Sequence, residues 1–216
     1  MKPHHALFDL LYPPKCPFCS RILERGEERM CVLCGQDLPW TDGPGQVEGC
    51  GLCLSPLHYR GGVRDAVHRY KFKGGADLAG LFGELMAQCL SDNRDGAADL
   101  VTWVPLHPKR KKRRGYDQAE LLARRTAELC GMPVVPTLEK VRLTGVQSRQ
   151  NTEADRRANV EGAYRVLPGL DLTGKRVVLV DDVVTTGSTL AQCAACLRSA
   201  GAVTVVALTF ARARRN

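Results

Sequence analysis

VVLVDDVVTTGSTL, residues 177–190, begins as an unbroken apolar run, sets two carboxylates side by side, then turns small, hydroxylic and glycine-containing. The run has the length and β-branched content of a strand buried on both faces of a parallel sheet. Asp181 and Asp182 fall at its carboxyl end, where open α/β sheets bind their ligands. A helix is expected from Ser188, and a helix N-terminus offers free N–H groups and positive potential to a phosphate. Gly187 lets the backbone approach closely, and Thr185, Thr186, Ser188 and Thr189 add hydroxyls. The carboxylates suit vicinal hydroxyls or a divalent cation rather than the phosphate itself. Two hydroxyls beside a phosphate describe a ribose 5-phosphate. Without a ligand, adjacent carboxylates at a buried strand end would be costly.

On either side of this stretch, strands and helices alternate. "GGVRDAVHRYKF" (61–72) and "DLAGLFGELMAQCL" (77–90) have helical spacing, and "DLVTWVPL" (99–106) reads as a buried strand. "DQAELLARRTAELCG" (117–131) reads as a helix with a capping-box pattern, Asp117 then Glu120, and Gly131 as terminator. "STLAQCAACLRSAG" (188–201) is a helix closed by Gly201, and "VTVVALTF" (203–210) a further strand. This order implies a parallel sheet covered on both faces. Cys193, Cys196, Cys89 and Cys130 read as core packing, and Trp40 and Trp103 as packing rather than base-stacking platforms.

Six consecutive cations, Lys109 to Arg114, follow the strand 99–106. If the strands are parallel, they stand at the same end of the sheet as the acidic pair. These cations suit a multiply charged anionic group, and Lys109, Arg110, Arg113 and Arg114 are the candidates to meet it. Six exceed the needs of one such group, so part of the run faces solvent or single-stranded nucleic acid.

Six of the ten cysteines lie in residues 16–53, as the pairs Cys16/Cys19, Cys31/Cys34 and Cys50/Cys53. That stretch is rich in turn formers ("TDGPGQVEG") and too poor in apolar residues to hold together without a staple. Residues 1–57 therefore read as a cysteine-rich module and 58–216 as the α/β domain. Cys16, Cys19, Cys31 and Cys34 have the knuckle spacing that places four thiolates around a zinc ion. His4 and His5 are poor ligand candidates.

The 216 residues carry a formal net charge of +8, which favours anionic partners. No apolar run is long enough to cross a bilayer and no signal-peptide pattern opens the chain, so a cytoplasmic location is expected. No G-x-G-x-x-G follows a strand and no Walker lysine motif appears, which argues against a Rossmann-like nucleotide domain.

"VVLVDDVVTTGST" resembles the signature of the type I phosphoribosyltransferases, which bind phosphoribosyl pyrophosphate. The resemblance implies that Asp181 and Asp182 hold the ribose hydroxyls, that Thr185–Thr189 hold the 5-phosphate, that Lys109, Arg110, Arg113 and Arg114 meet the pyrophosphate, and that Mg²⁺ accompanies it. "RRGYDQAELLA" and "RLTGVQSRQNTEADRRANVEGAY" (142–164) narrow the resemblance to the ComF branch, linked to natural competence and DNA use. The matching positions in the second stretch are Arg142, Thr144, Gln147, Arg156, Asn159, Val160 and Tyr164, in a region that implies a mobile loop closing over the ligand. The branch usually carries four cysteine pairs in a double zinc ribbon, and this chain has three. One zinc on Cys16, Cys19, Cys31 and Cys34 is therefore expected, with Cys50 and Cys53 left over or substituting for one pair. The implied fold is a type I phosphoribosyltransferase fold preceded by a small zinc ribbon. The implied activity is phosphoribosyl transfer to an unidentified acceptor or, alternatively, a non-catalytic sensor that binds single-stranded DNA. Other DNA-uptake proteins would be its partners.

Overall fold

The computed structural model describes residues 13–72, 74–93, 98–144 and 161–214. The strand that carries the acidic pair, β6 (Arg176–Val184), lies inside a parallel sheet. On one side it pairs with β3 (Leu100–Trp103), and on the other with β7 (Thr204–Arg212). The far edge of β7 pairs with two short strands in succession, β1 (Cys53–Leu54) and β2 (Leu57–His58). Residues 53–57, the end of the expected cysteine-rich module, thus join the main sheet together with His58. The buried Ser55 and Thr209 hydroxyls, 2.7 Å apart, tie this edge to β7. Outside it, antiparallel bridges from Trp40 and Gly45 cover the exposed backbone.

The unbroken apolar run of β6 follows from burial on both faces. Val178 and Val180 join one core with Val101, Trp103, Leu208 and Phe210, while Val177 and Leu179 join the other with Leu100, Val205 and Ala207. Alternate side chains point to opposite faces, and each face finds apolar partners. The first core lies beneath α2 (Gly61–Phe72), α3 (Ala79–Asp92) and α5 (Gln118–Cys130). The second lies beneath α6 (Ser188–Ser199).

The helix expected over 61–72 forms over those residues, and Asp117 caps α5 by accepting from the N–H groups of Ala119 and Glu120. The reciprocal half of the capping box is not made. Glu120 turns outward instead to Lys111 at 2.8 Å and Arg124 at 2.9 Å. Competing cations draw its carboxylate away from the cap. The basic run, which the sequence reading left without secondary structure, is a short helix α4 (Pro108–Arg114) ended by Gly115. Trp103 is buried, whereas Trp40 is 45% exposed.

Among the described residues of the N-terminal stretch the one helix is α1 (Val32–Asp37), which buries no residue. The stretch rests on α2 by a close backbone approach. A side chain at Gly62 would collide with the Phe18 carbonyl, and the Arg69 guanidinium donates to the Pro17 carbonyl. Among the described residues, no helix is long and apolar enough to cross a membrane.

Candidate functional site

The carboxyl end of β6 gathers charge that the fold leaves incompletely paired. Asp182 is 4% exposed. Its Oδ1 takes an ion pair from Lys71 at 2.7 Å, while its Oδ2 is buried without a partner. Asp181 folds back, its Oδ1 accepting from the Asp182 N–H at 2.8 Å. Burial, and then the neighbouring Asp182 charge, push the Asp181 carboxyl up to about 8, against the opposing pull of Lys71. Burial alone would lower the Lys71 ammonium, but the Asp182 and Asp181 charges overcome it and hold its pKa above the ordinary value.

Arg114 reaches this end of the sheet from the last residue of α4. Its guanidinium lies 5.0 Å from the Phe72 ring centroid, and its Nη1 is buried with no partner. Burial lowers its pKa, and the Asp182 charge works the other way. The rest of the run diverges. Arg110 donates to the Thr144 carbonyl at 2.5 Å, Lys111 pairs with Glu120, and Lys109 and Arg113 are exposed. Of the four predicted pyrophosphate ligands, only Arg114 presents a buried nitrogen with no partner.

The loop after β6 has the expected form. Gly187 is the N-cap of α6 with φ 83°, and no side chain caps the helix there. The Thr186 and Ser188 hydroxyls lie 2.9 Å apart, and Thr185 is exposed. A Cβ at Gly187 would come within 3.0 Å of the Val47 side chain, which lies over the loop.

Two lysines at this end were not singled out in the sequence. Lys71 lies in α2 beside the fully buried Tyr70, one of several charged residues on that helix, and no spacing rule marks it. Lys140, on β4 (Leu138–Lys140), donates to the Tyr164 hydroxyl of its partner strand β5 (Tyr164–Val166) at 2.8 Å. Burial, then the Arg110 charge, lower its pKa to about 8. Gln147, Arg156, Asn159 and Val160 lie outside the described residues, as do His4 and His5.

The second centre is the cysteine cluster. The Sγ atoms of Cys16, Cys19, Cys31 and Cys34 all lie within 4.8 Å of one another, and those of Cys19 and Cys31 are 3.6 Å apart. Four thiolates at about 2.3 Å from a zinc ion stand roughly 3.8 Å apart, so the set fits that ion. Burial raises the Cys16 thiol, but backbone N–H groups of Cys31, Cys19 and Phe18 bring it down to about 7, while burial and the hydrogen bonds with the other three thiols push Cys34 up. Cys50 and Cys53 belong elsewhere, packed in the second core with Cys193. Burial and then the Cys53 charge push Cys50 up to about 12, as for an inert thiol.

A parallel sheet with an acidic pair and a phosphate-type loop at one strand end, preceded by a four-cysteine cluster, defines a phosphoribosyltransferase-type α/β domain with a zinc ribbon. Family comparison agrees. Residues 112–216 match the phosphoribosyl transferase domain, and residues 7–65 the double zinc ribbon domain. DNA utilization protein YhgH of Salmonella typhimurium is 31% identical over 205 residues, covering 88% of this chain and 86% of that protein. Competence protein F of Haemophilus influenzae is 29% identical over 199 residues, covering 85% and 84%. Competence protein ComFC of Streptococcus pneumoniae is 27% identical over 202 residues, covering 91% and 87%. The chain belongs to the ComF family.

Proposed function

We propose that this protein binds phosphoribosyl pyrophosphate at the carboxyl end of β6 and transfers its phosphoribosyl group to an acceptor in the course of DNA uptake or use. The observation that carries the reading is a pair of buried, partnerless polar atoms, Asp182 Oδ2 and Arg114 Nη1. Buried polar atoms are normally satisfied, and the ligand supplies what these lack. Asp182 accepts from a ribose hydroxyl while Lys71 holds it in place. Asp181 takes the second hydroxyl. Thr185, Thr186, Gly187, Ser188 and Thr189 surround the 5-phosphate, and Arg114 meets the pyrophosphate. Arg110, Lys109 and Arg113 supply further positive potential from α4.

In the transfer, the bond from C1 of the ribose to the pyrophosphate oxygen breaks, and a bond from C1 to the acceptor forms. Pyrophosphate leaves with the electron pair. A magnesium ion accompanying the pyrophosphate would neutralise part of that charge, with Asp181 as the chain's own candidate ligand. The raised Asp181 pKa suits this, because an adjacent cation offsets the burial that keeps the carboxyl neutral. The protein's part is positioning and charge stabilisation.

A second reading follows from α4, whose Lys109, Lys112 and Arg113 are exposed. These cations suit a nucleic-acid backbone, and relatives are named for competence and DNA utilization. The protein would then be a sensor of the ribosyl ligand that binds single-stranded DNA. Calorimetric titration of phosphoribosyl pyrophosphate with Mg²⁺, into wild type and the Asp181→Asn/Asp182→Asn double variant, tests the first reading. Binding that vanishes in the variant supports the ligand site that both readings share, and pyrophosphate release on adding candidate acceptors supports transfer over sensing. No heat of binding to folded, zinc-loaded wild type overturns that shared site and leaves single-stranded DNA as the ligand to test.

A further inference from the structure

Beside the phosphate-type loop lies a second cleft of about 290 Å³, between the segment 45–47 and the carboxyl ends of β6 and β7. Gln46, His58, Thr185, Arg212 and Arg214 bring polar groups to it. His58 is its floor. The side chain is 7% exposed, and neither ring nitrogen has a hydrogen-bond partner. A buried imidazole with both nitrogens unsatisfied is unusual, since such groups are normally paired.

The surroundings are cationic. Arg212 is the β7 residue paired with His58 across the sheet, and Arg214 follows two residues later. The Arg212 guanidinium reaches over Gly45, where a Cβ would stand only 2.8 Å from its Nη1. A glycine at 45 keeps that space open for the guanidinium. Burial, then the Arg212 and Arg214 charges, hold the His58 pKa below its ordinary value, with Asp42 opposing and Arg60 adding to the effect. At neutral pH the imidazole therefore stays uncharged and offers one N–H.

We propose that this cleft is a binding site for a small molecule carrying an oxyanion, a carboxylate or a phosphate, held by Arg212 and Arg214 with His58 and Thr185 as hydrogen-bond partners. Two guanidiniums, a hydroxyl and a buried imidazole N–H form a donor set, and planar guanidiniums match oxyanions in bidentate geometry. A cation is excluded by the same charges. His58, Arg212 and Arg214 take no part in the β6 loop, whereas Thr185 borders both sites, so the two occupants would be neighbours that share its hydroxyl.

The test observes the His58 ring by NMR of isotope-labelled histidine in the full-length, zinc-loaded protein. The signal is assigned from its loss in His58→Gln or, if that variant does not fold, by elimination using single substitutions of the other four histidines. Inorganic phosphate and succinate are the two probes. A saturable shift with phosphate assigns a phosphate ligand, and one with succinate alone assigns a carboxylate. In the Arg212→Gln/Arg214→Gln variant the apparent affinity should fall about tenfold or more. In Thr186→Ala/Thr189→Ala, which alters the β6 loop, it should be unchanged. The proposal is overturned if neither probe moves the signal, if the arginine variant responds like wild type, or if the loop variant abolishes the response.

Discussion

The cysteine cluster and the acidic end of β6 are both built from groups that would repel or remain unsatisfied alone, yet they are held in opposite ways. Around the thiols regular structure is sparse: α1 buries no residue, and the support comes from Cys16, Phe18 and Cys31, which pack into the first core. Ile22, Val32 and Leu33 are exposed there. Around Asp181 and Asp182 the support is the molecule itself, with Val177 to Val180 buried on both faces of the sheet. A zinc ion bound there would tie the four thiols together, whereas the strand end is held by the sheet on both sides and presents its charges to a ligand. Taking away a ligand should therefore unmake one centre and merely empty the other.

Zinc removal is the strongest way to break this contrast. Chelation, or Cys31→Ser, should release one zinc ion per chain and lower stability by several kcal/mol, because metal binding and folding are one equilibrium in such modules. Metal analysis with thermal unfolding checks it; an unchanged melting temperature after complete zinc loss would mean that packing alone holds the ribbon.

Next in size is Lys71→Met. It leaves the Asp182 carboxylate buried without its cation, and should destabilise the protein by about 3 kcal/mol. Chemical denaturation at neutral pH reads this. Restoration by Lys71→Arg would show that the charge, rather than the packing of the stem, matters.

Asp181→Asn sharpens the same contrast in the stabilising direction. The folded-state pKa of Asp181 is raised to about 8, so the unfolded chain ionises this group first as pH rises. The folded state therefore loses stability between the ordinary carboxylate pKa and about 8, and keeps its full contribution below that window. The variant should be more stable than wild type at pH 8 by on the order of 2 kcal/mol, with the gain fading towards pH 4. Equal effects at both pH values would refute the raised pKa.

Gly187→Ala should cost about 1–2 kcal/mol, through its positive φ and the Val47 methyls 3.0 and 3.1 Å from the new Cβ. The smallest effect is expected at Cys50→Ala, where zinc stoichiometry should remain at one per chain. A fall in bound zinc would put Cys50 back among the ligands.

What could be read beforehand follows from how local each signal is. The order of strands and helices, the loop after β6 and the four-thiol set are each written in a short window, as period, spacing or punctuation. The helical state of the basic run was missed because six cations mask the pattern that ends at Gly115. Lys71 was missed for a different reason. Its meaning comes from Asp182, which lies 111 residues away in sequence and 2.7 Å away in space. His58 likewise carries no signal in its own stretch of sequence, and its setting comes from β7, which brings Arg212 beside it.

The seam between the Phe18 carbonyl and Gly62 has a consequence for anyone who wishes to cut the molecule in two. Helix α2 carries Gly62 and Arg69 against the backbone of the first cysteine knuckle, and it delivers Lys71 to Asp182 from the same stretch of backbone. The ribbon is thus a splint for the helix that completes the acidic site. A fragment beginning after the cysteines would keep every strand of the signature yet lose the brace that sets its lysine, so the two family domains are separable on paper more readily than in the test tube.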